Sequence, residues 1–385
     1  MKNEKATFSQ LVFSIVLFNF GSSVIMGISS GVDQDAWIPI LLATACIIPL
    51  FFLYARVLRL FPEKDLFEII EILFGKIAGK VLVALLIWYA LHLCALVLRN
   101  FSEFTRIAAM PETPQLPIMI LMILTTVYLA RSSMRAIGKW SVAAVFFVLF
   151  VVLFTFVASI PQLNLDALLP VLEHTPAQLA ETTFQLFSFP YAETVIFLCL
   201  ADSFPKKGSP YKMFLYGIAI TLVVFMLVFL RNLALLGRAM MQISYFPSYV
   251  AVRIVEIGDF LARIEGSISS NFVFAGIVKI SACLLAASKG VTRLFNLQDY
   301  RPVVLPAGIL TLALCAILYK NTMEMFAFLD YYPYYAFPFQ VIIPLAVWIA
   351  GEIYVRRRKK QGAAAGPAFS QEESAGTSQA AELGQ

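Results

Sequence analysis

Charge is what this chain has least of. Asp, Glu, Lys and Arg make up 14% of its 385 residues, against 60% that are hydrophobic, whereas a soluble domain carries about 25% charged residues. With a mean hydropathy of +0.81, that shortage excludes a water-soluble fold. Cysteine is scarce too. Cys46, Cys94, Cys199, Cys283 and Cys315 fall in five different apolar stretches with no CxxC pair, so neither a disulfide framework nor a zinc cluster is suggested, and they read as small apolar fillers. The two histidines, His92 and His174, are too far apart in sequence to form a metal constellation. There is no P-loop, no Rossmann glycine pattern and no grouping of Ser, His and Asp near any one apolar stretch. Phosphate, dinucleotide and triad chemistry therefore lack their parts, and no cofactor is expected.

What is present is a series of apolar runs near the ~20 residues that cross a bilayer. Ten spans are expected, at 9–31, 36–55, 81–104, 116–131, 140–160, 181–201, 212–236, 267–288, 302–319 and 336–355. Lys2 and Lys5 precede the first run without an A-x-A-like cleavage site, so it reads as a retained helix. With the N-terminus in the cytoplasm, 21 of the 29 basic residues fall in cytoplasmic segments. Seven lie outside or at outer helix ends: Arg99, Arg106, Arg231, Arg238, Arg253, Arg263 and Lys320. That asymmetry places both termini in the cytoplasm. The net charge of +5 then reports topology and lipid headgroups rather than nucleic acid. Residues 1–360 form one transmembrane domain by this reading, and 361–385, polar and rich in Ala, Gly and Ser, a disordered cytoplasmic tail. Tyr331, Tyr332, Tyr334 and Tyr335 beside the tenth span read as an interfacial aromatic belt.

The chain is organised around Ser188-Phe189-Pro190-Tyr191-Ala192-Glu193-Thr194, inside the sixth span. Pro190 removes a backbone donor and clashes with the preceding turn. Glu193 puts a carboxyl near mid-span, at a cost of at least ~2.5–3.5 kcal/mol. This is either a proline kink with a locally satisfied Glu, or a broken helix whose freed backbone groups line a cavity. The first span is interrupted in the matching place, Asn19 to Ser23. There Gly21, Ser22 and Ser23 are either a small-residue packing face or an unwound segment. A Phe-Pro start and an amphipathic run follow both the second span (Phe61-Pro62) and the seventh (Phe246-Pro247). In the later run Val250, Ile254, Ile257, Leu261 and Ile264 make the apolar face. Spans 1–5 and 6–10 thus share a layout, in repeats of about 8–160 and 178–355. Five is odd, so the second half is inverted, as in many secondary transporters. Lys279, near the middle of the eighth span, is the expected partner of Glu193, because ionisable residues at that depth face the bundle interior and pair.

Gln34-Asp35-Ala36-Trp37, Met110-Pro111-Glu112-Thr113-Pro114, Phe189-Pro190-Tyr191-Ala192-Glu193-Thr194 and Val278-Lys279-Ile280-Ser281 resemble the endospore germination permease family, over about residues 5–355. Its members are the B subunits of spore germinant receptors, within the amino acid–polyamine–organocation transporter superfamily. The resemblance implies an all-α polytopic membrane protein with ten transmembrane helices in a LeuT-like 5+5 inverted repeat, helices 1 and 6 broken. It also implies a place in the spore inner membrane, an A subunit and a lipoprotein C subunit as partners, and a small nutrient germinant, commonly an amino acid. Transporters of the superfamily usually carry Gly-x-Gly at the first break, where this chain has Gly21-Ser22-Ser23. The ligand-binding candidates are Asn19, Gly21, Ser22, Ser23, Ser188, Phe189, Pro190, Tyr191, Glu193 and Lys279, with backbone around Gly21 to Ser23 taking a carboxylate and freed carbonyls near Ser188 and Phe189 an amine. A sensing subunit and a working amino-acid or ion permease need the same cavity. An intramembrane enzyme fits poorly, since no second carboxylate or metal ligand is expected near Glu193.

Overall fold

The computed structural model of the chain describes residues 5–27, 31–255, 265–358 and 360. The tail 361–385 and the stretch 256–264, which holds the rest of the expected outer surface helix, lie outside them. The described residues are helical, with no strand among them. Eight helices are long and apolar enough to cross a membrane, and two shorter apolar ones, Phe8–Val24 and Arg301–Ile317, make up the ten. In order they are α1 (Phe8–Met26), α2 (Trp37–Leu60), α3 (Leu66–Phe104), α4 (Gln115–Ser132) and α5 (Met134–Ser159). The sixth span begins as α6 (Pro176–Leu186). Then follow α7 (Pro210–Ile243), α8 (Pro247–Ile254), α9 (Glu265–Leu294), α10 (Arg301–Ile317) and α11 (Thr322–Phe337). The last runs on through a wide turn, Pro338–Ile342, into the tenth span.

Both expected breaks are present, each with a local cause. In α1 the helical dihedrals fail at Gly21 (φ −25°, ψ −106°), beside the buried polar run Ser22 and Ser23. In the sixth span α6 starts with a Thr175/Gln178 capping box and stops at Leu186. Pro190 has no N–H to return to the Leu186 carbonyl, so the backbone widens over Phe187–Tyr191, with Phe189 extended at φ −124°, ψ 107°. It then tightens into a 3-10 helix over Ala192–Ser203. Such helices rarely exceed three or four residues. This one persists because Ala192 to Ala201 is buried on all sides by neighbouring spans.

The surface helix after the second span is fused to the third. Asp65 caps it by accepting from the Glu68 N–H at 2.8 Å. At Gly75 the chain turns with φ 76°, which only glycine adopts at little cost, and continues as the span. Three readings need correction. Of the expected tyrosine belt, Tyr331 and Tyr334 are exposed, whereas Tyr332 does not belong to it and is buried in the core. In α8 the buried face is Ser248, Ala251 and Val252, and Ile254 is exposed. There the Ser248 hydroxyl sets the rotation, donating to the Val24 carbonyl and accepting from Asn232, both at 2.9 Å. Arg99 and Arg231, placed at outer helix ends by their position in sequence, are buried. Arg99 donates to the last carbonyls around α10 and pairs with buried Glu103, a second carboxylate within a span. Arg231 is held by Thr155 and Asn232.

Candidate functional site

The two breaks meet at the centre of the bundle, where α9 crosses them. A Cβ on Gly21 would lie 3.3 Å from Cδ of Lys279, so the missing side chain is what lets the lysine stem pass α1. The Lys279 ammonium forms a short ion pair with Glu193, and neither side chain has any exposure to solvent. It also lies 5.0 Å from the Phe18 ring centroid and 5.1 Å from that of Phe189, within the ~6 Å range of a cation–π contact. The second Glu193 oxygen accepts from the Tyr332 hydroxyl at 2.5 Å.

From there the polar network spreads into the tenth span. Tyr332 and Tyr89 hydroxyls stand 3.3 Å apart. Gln340 donates to Tyr89 Oη and to the Ser188 carbonyl, each at 3.0 Å, and accepts from Ser188 Oγ at 2.9 Å. Tyr54 donates to the Gln340 carbonyl at 2.5 Å. Desolvating two charges costs several kcal/mol per ion, and only good geometry with further hydrogen bonds offsets it. The arrangement supplies both.

The sequence-derived candidates therefore divide. Gly21, Phe189, Glu193 and Lys279 come together. Ser188 and Pro190 stand behind them, but the Ser188 carbonyl expected to take a ligand amine already accepts from Gln340. Tyr191 points away, its hydroxyl accepting from Thr44 at 3.2 Å and its ring stacked on Phe225. Asn19 donates to Thr221 on α7 at 3.4 Å. Asn19 Oδ1 and the hydroxyls of Ser22 and Ser23 are buried without a hydrogen-bond partner. So are both polar atoms of Asn271. It stands one helical turn from Ala275, whose carbonyl would lie 4.0 Å from a Cβ on Gly21. Sequence reasoning missed Phe18, Tyr54, Tyr89, Tyr332 and Gln340. Gln340 alone carried a signal, an amide beside Pro338 within an apolar run. No group of three metal-ligating side chains occurs among the described residues.

The site is closed. The void beside it, lined by Leu93, Val97, Phe189, Glu193, Phe328 and Tyr332 among others, measures about 20 Å³. A larger cavity of about 520 Å³ opens at the end of the bundle that bears α8, between Gly27, Gly31, Asp33, His174 and Gln242. The Gln34-Asp35 motif supports its rim. Asp35 accepts from the backbone N–H groups of Leu172, Glu173 and His174 at 2.7, 2.9 and 3.2 Å, and meets the His174 ring at 2.9 Å.

Comparison with known proteins identifies the family and the fold. Residues 5–325 match a family described as spore germination protein. The chain is 25% identical over 372 residues to spore germination protein KB of Bacillus subtilis (strain 168), covering 94% of this chain and 98% of that one. Among solved structures it is similar to MhsT in complex with L-phenylalanine, with TM-score 0.65, 10% identity, and 92% and 90% of the two chains covered. It is also similar to Mhp1, a nucleobase-cation-symport-1 family transporter in a closed conformation, with TM-score 0.65, 12% identity, and 88% and 77% covered. At these identities the structural likeness shows the fold alone, a LeuT-like transporter fold with helices 1 and 6 broken.

Proposed function

Since the chain belongs to the spore germination protein family, we propose that it is the nutrient-sensing membrane subunit of a spore germinant receptor. In this reading it lies in the spore inner membrane with both termini in the cytoplasm, beside an A subunit and a lipoprotein C subunit. It binds a small germinant such as an amino acid where the two broken helices meet, and the transporter-like movement of those helices is the signal. The observation that carries the reading is the Glu193–Lys279 pair, buried between the broken sixth span and α9 where α9 passes the break at Gly21, and flanked by orphaned polar groups on α1 and α9. A packing core has no use for that much uncompensated polarity, because each buried unmet group costs about 1–3 kcal/mol.

The test is a thermal-shift screen of the purified full chain against amino acids, sugars and nucleosides, with Gly21→Leu as control. A ligand that stabilises the wild type and not the variant supports the site; equal stabilisation of both rules it out. A working permease is the second reading, favoured by the transporter fold. Uptake by the chain alone in liposomes supports it, and obligate co-purification with two further subunits supports the receptor.

A further inference from the structure

The surroundings of the Lys279 head are those of an ammonium receptor. Two aromatic faces, Phe18 and Phe189, lie about 5 Å away, and a carboxylate closes the third side. Rings plus a carboxylate are how proteins recognise small ammonium ligands. Glu193 is not free to follow a moving partner, because Tyr332 holds its other oxygen at 2.5 Å. Lys279 can move: its head is a compact charge on a flexible four-carbon stem, and the stem lies along the one position of α1 that has no side chain.

We propose that Lys279 is the site's own resident ammonium, and that a zwitterion binds by exchanging partners with it. The ligand ammonium takes the cradle of Phe18, Phe189 and Glu193, and the ligand carboxylate takes the displaced Lys279 head. No bond is made or broken, and the number of buried ion pairs rises from one to two. A ligand with one charge leaves either Lys279 or Glu193 buried without a partner, an outcome as unfavourable as removing one member of a buried pair. Self-occupancy thus makes the site selective for molecules bearing both charges. The void beside Glu193 is small, about 20 Å³, and walled mainly by apolar groups, Leu93, Val97, Phe328 and Leu329, with Asn100 and Tyr319 also on its lining, so the third feature of the ligand is a short, mainly apolar side chain.

The inference rests on the proposed reading of this region as the ligand site, and the experiment separates the two. The full chain in lipid nanodiscs is titrated with the twenty common L-amino acids, with a panel of sugars and nucleosides, and with isobutylamine and 3-methylbutanoate, the decarboxylated and deaminated counterparts of L-valine. Wild type is expected to bind L-valine at least about tenfold more tightly than either single-charge probe. In Lys279→Met the cradle is vacated, so isobutylamine should gain at least about tenfold over wild type. In Glu193→Gln the ammonium is released, so 3-methylbutanoate should gain instead. The charge-free double variant should favour neither probe, and its melting serves as the folding control. Should either single variant not fold, the wild-type comparison still decides. Isobutylamine or 3-methylbutanoate binding wild type as tightly as L-valine overturns the exchange, as does an unchanged isobutylamine affinity in a folded Lys279→Met. A sugar or nucleoside binding where no amino acid does overturns it and leaves the sensing role standing. No binding by any of these molecules removes the sensing role itself.

Discussion

At the scale of residues, the central pair and the carboxylates around Asp65 make opposite demands. Glu193 and Lys279 each compensate the other, with neither side chain exposed to solvent. Removing one partner leaves a buried charge, so Glu193→Gln and Lys279→Met should each cost ~3–5 kcal/mol. The double variant should recover much of that loss, with a coupling energy above ~1 kcal/mol in a double-mutant cycle read by thermal unfolding. Strictly additive losses would contradict the contact. Asp65 is the reverse case. Burial first, and then the nearby Asp202 carboxylate, push its carboxyl up from 3.8 to about 6. The folded state therefore favours the proton. The stability this confers is whole below about pH 4 and is lost as the pH climbs through 6. Asp65 is partly exposed, and the loss is on the order of 2 kcal/mol. Asn caps a helix as well as Asp, so Asp65→Asn should match wild type near pH 4 and melt higher at pH 7.5. A variant that melts lower at pH 7.5 would refute this.

At the scale of elements, the broken sixth span is held by the tenth. Gln340 uses its amide three times, on the Ser188 carbonyl, Ser188 Oγ and Tyr89. Gln340→Leu keeps the bulk and strands those groups, and should cost ~2–4 kcal/mol, measured as a fall in Tm. A shift within error would mean the break is held by packing alone. Little of this was legible from the sequence. Pro190 and Gly21 announce the breaks, because their backbone chemistry is local, and apolar length announces the spans. The Glu193–Lys279 pairing followed because two mid-span charges have few other partners. Tyr89 gave no sign and Gln340 only an amide beside Pro338, since the partners Ser188 and Tyr89 lie 152 and 251 residues from Gln340 in sequence. Tyr332 was misassigned because tyrosines at a span end fit both an interface and a core, and only the helical phase of α11 separates them. The face of α8 was misread for a related reason: hydrophobic periodicity cannot see that Ser248 is anchored to α1.

At the scale of the whole molecule, the structure is shut at both ends. At one end α8 is latched to α1 through Ser248 and the Val24 carbonyl, backed by Asn232 and Arg231. At the other end the Ala6 N–H donates to the Ser203 carbonyl at 2.9 Å. Lys289 grips Asp202 with both oxygens at 2.7 Å, and Glu63 lies between Lys5 and Lys206. The latches are unlike in kind. The α8 latch is made of neutral hydrogen bonds around a buried Arg, and the opposite one of ion pairs reaching the surface, which salt screens. A transporter-like chain that opens to one side at a time should therefore be opened selectively. With Ser23→Cys as a reporter at the first break, buried to 1% exposure, an impermeant thiol reagent should react slowly from either face of membrane vesicles, after the five native cysteines are replaced. Adding Ser248→Ala should speed labelling from the face bearing α8 alone. Adding Asp202→Asn should speed it from the opposite face alone, and raised salt should do the same on that face without the substitution. Labelling that rises from both faces with either change would mean the two ends do not close independently, and the alternating geometry of the fold would not be the one this protein uses.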